Sequence, residues 1–373
     1  MADPVPAPKD AALQPLFEPL SLDDLETPHR VFMAPLTRNR AHPDGTPAEL
    51  AIEYYRQRAS AGLIITEATQ ITPMGKGYLN TPGLYDADHV AAWKRITDAV
   101  HAEGGRIAIQ LWHVGRISHS SLLPEGAQPV APSAIRAATQ TFTENGFEDV
   151  SEPRALETDE IRALVKEYAA AARRSMDAGF DLVEIHAANG YLINQFLSDK
   201  TNTREDDYGG SAENRARFLL EVLGAVADEI GAGRTGVRLS PTGKFNDMGG
   251  AEVEETYGLV YKRLSEMGLA YLHVVEKFPG IEVADAEVRL LDRLRGLYKG
   301  AYIANGDFDA KQAAEWIDAG RADAVAFGRP FLANPDLPTR YALGAALNEP
   351  DGDTFYGGDH RGYTNYPFLE GAA

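Results

Sequence analysis

Residues 181–210, DLVEIHAANGYLINQFLSDKTNTREDDYGG, combine residue types that can do chemistry together. An apolar run (Leu182, Val183, Ile185) ends in His186, Asn189 and Tyr191. An imidazole and a side-chain amide both donate hydrogen bonds, and an ordinary phenol stays protonated at neutral pH. Three such groups at the mouth of one strand suit polarising a substrate oxygen and delivering a proton. At the C-terminal end of a barrel strand, this is where catalytic side chains gather.

Other candidates lie at the ends of other apolar runs. Gln110 and Trp112 close IAIQLWHVGR; they suit a ligand edge, or equally a bonded strand end and core packing. Thr37 follows an apolar run in MAPLTRNR, although a threonine there also suits turn capping. Arg238 sits inside GVRLS. A barrel interior does not tolerate an unpaired cation, so Arg238 either meets a buried carboxylate such as Glu184 or Glu67 or faces a ligand. Gly306 follows one apolar run, and Gly328 and Arg329 follow the next. Phosphates commonly bind between the loops after strands 7 and 8 of a barrel, so these backbone N–H groups and the guanidinium form a candidate anion cradle. Arg329 equally suits a surface arginine after a glycine turn, and Asp307 is unfavourable beside a phosphate unless it points away.

The elements that must position these residues alternate between short apolar runs and longer amphipathic ones, the mark of βα units around a parallel sheet. Strands are expected at Arg30–Ala34, Gly62–Glu67, Arg106–Gln110, Leu182–His186, Gly236–Ser240, Tyr271–Val275, Ala301–Ala304 and Ala324–Phe327. Eight such units predict a single (β/α)8 TIM barrel. Thr158 is expected to cap one helix, Ser211 another and Asp309 a third, the last ending near Gly320. Residues Leu16 to Pro28 are expected to form a hairpin across the barrel bottom, with the barrel itself spanning 16–373. Residues 1–15 are Pro-rich and expected to be poorly ordered. Residues 112–156 separate the third strand from its helix and predict an excursion over the active-site face.

Several function classes are excluded or disfavoured. Cysteine is absent, which removes disulfides, thiolate metal sites, iron–sulfur clusters and cysteine nucleophiles. The formal net charge of −19 and the lack of a Lys/Arg-rich run argue against nucleic acid. No apolar run approaches the roughly 20 residues of a membrane span, and MADPVPAPKD lacks the apolar core of a secretory signal. A cytoplasmic enzyme is the expectation. His113, His119 and His186 match no compact ligand spacing, so no metal is expected. GAGRTG at 231–236 fits G-x-G-x-x-G but follows a helix and precedes a strand, the reverse of a dinucleotide fingerprint. No G-x-S-x-G elbow is present for a serine hydrolase.

The runs RVFMAPLTRNRA, EYYRQRASAGLIITEATQI, GRIAIQLWHVGRISH, HAANGYLINQFLS, YGGSAENRARF, DAVAFGRPFLANPDL and FYGGDHRGYTNYP, in this order, resemble the old yellow enzyme family of FMN-dependent ene-reductases. The resemblance extends from about residue 16 to 369 and is nearest to the bacterial N-ethylmaleimide and nitrate-ester reductase kind. It implies non-covalent FMN at the top of the barrel, with Pro35, Thr37, Ala68 and Gln110 at the isoalloxazine and Arg238 on its pyrimidine side. Gly306, Gly328 and Arg329 would hold the phosphate. His186 and Asn189 would bind the substrate oxygen, and Tyr191 would donate the proton. Tyr78, Trp112, Phe278 and Tyr356 would wall the pocket. The implied reaction is ping-pong: NADPH or NADH reduces the flavin, and flavin N5 then passes hydride to an activated alkene. Enones, enals, maleimides and nitroalkenes are the implied substrates, with nitrate esters as a further class, on a monomer or homodimer.

Two departures bear on the site. Asn189 stands where near bacterial relatives often carry His, and an amide cannot become cationic. Thr37 stands where another subgroup carries Cys. Two other readings compete: a phosphate-substrate aldolase or isomerase barrel, which needs a catalytic Lys or a carboxylate pair, and a non-catalytic flavin-binding barrel.

Overall fold

A computed structural model describes residues 4–278 and 280–370. In chain order, a hairpin of β1 (Leu20–Leu22) and β2 (Leu25–Thr27) leads to β3 (Val31–Met33), α1 (Leu50–Arg56), β4 (Ile64–Gln70), α2 (Ala87–Ala102) and β5 (Ile107–Trp112). The excursion carries β6 (Val130–Ala131), β7 (Gln140–Thr143), β8 (Gly146–Asp149) and β9 (Arg154–Ala155). Next come α3 (Thr158–Asp177), β10 (Leu182–Ala187), α4 (Leu192–Leu197), α5 (Ala212–Ile230), β11 (Thr235–Leu239), α6 (Val253–Glu266) and β12 (Tyr271–Val275). The chain continues through α7 (Asp285–Arg295), β13 (Tyr302–Asn305), α8 (Ala310–Asp318), β14 (Ala324–Phe327), α9 (Arg329–Ala333) and α10 (Leu337–Leu343).

Strands β3, β4, β5 and β10 to β14 close into one barrel, and every pairing in it is parallel. This is the expected (β/α)8 architecture. The strands are buried on both faces, which is why they read as near-continuous apolar runs rather than alternating ones. Helices cover the outside. In α3 the stripe Ile161, Tyr168, Ala172 and Ser175 is buried, and the helix packs on α5. Leu22 of the hairpin joins Phe32, Leu63, Ala108, Leu182 and Ile303 in one buried cluster, plugging the barrel bottom as expected.

Three local expectations change. The capping residue of α3 is Glu157, in a reciprocal box with Glu160, so Thr158 lies one position inside the helix. Its hydroxyl is free to donate to Asp206 instead. The second barrel strand runs on to Gln70 because a bulge between Ile65 and Ala68 absorbs an extra residue. Order at the N-terminus begins before residue 15. A 3-10 turn spans Ala11–Phe17 with Leu13 and Leu16 buried, and Lys9 N–H donates to the Ala342 carbonyl. Two leucines among the prolines supply the anchoring that composition alone understated. Residues 1–3 lie outside the described residues.

The excursion builds its own structure. Strands β7 and β8 form an antiparallel hairpin, while β6 pairs in parallel with β9. Ala137 and Val150 from this segment pack with Trp112, Ala68, Tyr78 and Tyr191. Arg116, fully buried, donates to the carbonyls of Ile135, Asn246 and Asp247 and thereby ties the excursion to the loop after β11.

Candidate active site

Alternation along the strands grades the barrel interior from apolar to polar. Residues two apart point the same way. On β10, Leu182 lies in the apolar bottom, Glu184 above it and His186 at the mouth. On β5 the matching series is Ala108, Gln110 and Trp112. The bottom residues belong to an apolar cluster, and every residue of both series is buried. Charged and aromatic groups therefore concentrate at the C-terminal end, as the fold requires of a catalytic face.

His186, Asn189 and Tyr191 meet there. The Ala188 N–H donates to His186 Nδ1 at 3.2 Å, so a neutral ring carries its proton on Nε2. Burial, with the nearby Arg238 cation and His273, holds His186 well below the usual imidazole range. The ring is thus a neutral donor. Trp112 stacks on it at 6.1 Å and 11°. Asn189 adopts a left-handed backbone, φ 58°, which an asparagine accepts readily. Its N–H donates to Ser240 Oγ at 2.8 Å, and its carbonyl accepts from Asn246 Nδ2 at 2.8 Å.

Tyr191 packs edge-on against Trp112 (4.7 Å) and His186 (5.0 Å). Its hydroxyl lies 3.1 Å from that of Tyr78. Burial raises the Tyr191 pKa well above 10, and the Tyr78 phenol raises it further; burial likewise pushes Tyr78 up to about 12. Both phenols stay protonated across the physiological range. The Asn246 amide sits close to both and partly offsets the rise.

The expected cofactor residues surround the same mouth. Pro35 and Thr37 follow β3 and are half-buried. The β4 bulge brings Ala68 into register with Gln110. Gln110 Nε2 donates to Glu184 Oε1 at 2.6 Å. Arg238 takes neither carboxylate as a direct partner; it donates to Asn305 Oδ1 at 2.6 Å, while Glu184 acts on it through its charge. Glu67 instead accepts from the Arg38 N–H, and its own N–H donates to the Tyr55 hydroxyl. Gly306, at φ 140°, follows β13 where any Cβ would lie 2.5 Å from the Lys277 carbonyl. Gly328 and the exposed Arg329 follow β14. Asn305 Nδ2 donates to the Ala326 carbonyl and so joins the ends of β13 and β14.

These residues fit FMN. The Arg238 Nε and Asn189 Oδ1 atoms are buried with no hydrogen-bond partner among the described residues. A cation and an amide left open at the polar end of a barrel suit a ring that carries donors and acceptors. Of the residues expected to wall the pocket, Phe278 is half-buried and stacks on Phe245 at 6.1 Å. Tyr356 is 69% exposed, yet close enough to act on the Tyr78 and Tyr191 phenols. His113 is buried, with a pKa lowered to about 3 by burial. Among the described residues no cluster of three or more His, Cys, Asp or Glu could hold a metal. The decoy glycine motif is the turn between α5 and β11, as its position implied.

Sequence reasoning missed Asn246 and His273. Asn246 lies in a loop far from β10 in sequence, and no local pattern marks it. His273 is hidden in the apolar run YLHVV; a lone polar residue in a barrel strand, the clue used for Arg238, was available there too.

A family model described as NADH:flavin oxidoreductase / NADH oxidase matches residues 15–348. The chain belongs to this family, that of old yellow enzyme. It is 43% identical over 366 residues to 12-oxophytodienoate reductase 2 of Arabidopsis thaliana, covering 96% of this chain and 97% of that one. Morphinone reductase, a solved structure, superposes with a TM-score of 0.92 at 52% identity, over 95% of this chain and 96% of that one. The old yellow enzyme homologue from Zymomonas mobilis gives 0.92 at 44% identity, over 95% and 99%. A further structure is of morphinone reductase in complex with tetrahydroNAD, with a TM-score of 0.90 and 52% identity over 95% and 98%. As a member of this family, the chain is an FMN-dependent oxidoreductase that takes hydride from a nicotinamide. No helix among the described residues is long and apolar enough to cross a membrane.

Proposed function

We propose that this protein reduces the C=C bond of activated alkenes, namely enones, enals, maleimides and nitroalkenes, at the expense of NADPH or NADH. The observation that carries the proposal is the pairing of a neutral imidazole donor with a protonated phenol at one mouth of the barrel. Bound FMN would supply the hydride-carrying chemistry between the nicotinamide and the substrate's β-carbon.

His186 Nε2–H and the Asn189 amide bind the carbonyl or nitro oxygen. Their hydrogen bonds strengthen as negative charge moves onto that oxygen, which lowers the barrel-bound transition state more than the ground state. Tyr191 donates its proton to the α-carbon. A phenol with a raised pKa is a weak acid, so it holds its proton until a strongly basic carbon develops. Trp112, Tyr78, Phe278 and Tyr356 wall the substrate and limit water. Pro35, Thr37, Ala68, Gln110 and Arg238 would hold the isoalloxazine, while Gly306, Gly328 and Arg329 would hold the phosphate. The relatives named for 12-oxophytodienoate and morphinone reduction support the reaction class.

The test is a visible spectrum of the purified protein before and after anaerobic NADPH. Flavin bands that bleach and return on adding cyclohexenone are expected. Bands that return only with oxygen would overturn the alkene, and their absence after FMN addition would overturn the flavoenzyme.

A further inference from the structure

Below the substrate groups lies a buried polar layer in which Glu184 and His273 have no role in the proposed reaction. Glu184, wholly buried, sits at its centre. Its Oε1 accepts from Gln110 Nε2 at 2.6 Å. Its Oε2 lies 2.8 Å from His273 Nδ1. These three residues come from β5, β10 and β12, so the carboxylate reaches across β11. The register makes room for this: Gly236 of β11 lies opposite Glu184. A Cβ at 236 would fall 2.4 Å from the Tyr271 ring, so glycine is required there. One residue pair further up, Arg238 lies opposite both His186 and His273.

The ionisation pattern is that of an anion beside a neutral ring. Burial favours the acid form of Glu184, but His273, Arg238 and Gln110 together outweigh it and hold the group below the usual carboxylate range. Burial lowers His273 and Arg238 adds to this, together outweighing the opposing pull of Glu184, which leaves the imidazole neutral. A carboxylate only accepts, so His273 donates through Nδ1–H and Gln110 must turn its Nε2 inward. The reverse amide orientation would place a carbonyl oxygen against the carboxylate. Arg238 is then the cation that balances Glu184.

We propose that Glu184 is a positioning residue for the cofactor: it fixes the orientation of the Gln110 amide and offsets the Arg238 charge. This rests on the proposed function, in which Gln110 and Arg238 meet the flavin. Turned inward at Nε2, Gln110 presents its carbonyl end as an acceptor toward the cofactor. Glu184 also sets how much of the Arg238 field the cofactor feels. Removing the negative charge while keeping shape leaves that field less opposed, and an anionic reduced cofactor gains more than a neutral oxidised one.

The experiment compares Glu184→Gln and Glu184→Asp with wild type as holoproteins. The readouts are the two-electron potential of bound FMN, the FMN affinity of the oxidised protein and the melting temperature. E184Q is expected to favour the reduced over the oxidised cofactor by about tenfold, a rise of about 30 mV. E184D keeps the charge but withdraws from Gln110; its affinity for oxidised FMN is expected to fall about fivefold or more with the potential unmoved. An unchanged potential in E184Q, or an equal shift in both variants, would overturn the inference, since a merely structural role lowers stability without separating the two redox states. If E184Q does not fold, E184D decides: lost FMN affinity at a retained melting temperature supports the role, and unchanged affinity overturns it. Wild type that binds no FMN would overturn the proposed function itself, which distinguishes the two failures.

Discussion

Replacing Tyr191 with Phe removes one oxygen and little else. The ring is held edge-on by Trp112 and His186 at 4.7 and 5.0 Å, so it stays in place without its hydroxyl. The lost contact is the 3.1 Å bond to the Tyr78 phenol. A buried neutral hydrogen bond contributes about 1 kcal/mol, so the variant folds and binds its ligands nearly as before. A positioned general acid contributes about 10²- to 10⁴-fold, equivalent to roughly 3–5 kcal/mol of barrel-mouth transition-state stabilisation. The two effects differ enough in size to be told apart. Anaerobic stopped-flow absorbance follows the half-reactions separately: bleaching by NADPH, then recovery with cyclohexenone. Y191F should recover 10²- to 10⁴-fold more slowly and bleach at the wild-type rate. Equal slowing of both steps would refute the proton-donor role, because it would mean a displaced cofactor. Full activity in Y191F together with slowed recovery in Y78F would move the role to Tyr78.

Further expectations follow from the same geometry. The KM for a non-titrating enone should stay flat from pH 6 to 9, because His186 titrates well below 6.5 and Asn189 does not titrate; a break near pH 6.5 in a KM profile would contradict a neutral donor. Gly236→Ala should lose roughly 2 kcal/mol or more in urea unfolding, since the added Cβ would lie 2.4 Å from a buried Tyr271 ring; an unchanged midpoint would contradict the rigid packing. Glu276, buried beside Tyr302, has its pKa raised by burial to about 7. Between the ordinary carboxyl pKa of about 4.5 and 7 the unfolded chain releases a proton that the native state keeps, so wild-type stability falls as pH rises through that window. Glu276→Gln should gain on wild type by on the order of 3 kcal/mol across it, and parallel unfolding curves from pH 5 to 8 would exclude the raised pKa.

The barrel was legible because parallel strands buried on both faces must be apolar, and their spacing by amphipathic helices admits few topologies. Tyr271–Val275 and Ala324–Phe327 carry the strand boundaries read from sequence. Local rules served less well where chemistry was ambiguous. Thr158 and Glu157 are both competent to cap α3, and only the reciprocal bond with Glu160 chose between them. The Pro-rich N-terminus concealed two leucines that find a buried surface only once the barrel exists.

At the site, the sequence alone determined which groups stand at the strand mouths. His186 and Tyr191 are close along the chain, and period-two alternation aims His186 inward with Glu184. It did not determine their state. The proton on His186 Nε2 follows from a backbone N–H at Ala188, and the raised phenol pKa follows from burial under the excursion and from Tyr78, 113 residues away. The partner of Arg238 was likewise left open between two carboxylates and a ligand; the fold put Asn305 against it and set Glu184 to act through charge. Side-chain identity travels with the chain, but desolvation, field and hydrogen-bond partners come from segments far apart in sequence, and only the closed barrel brings them together.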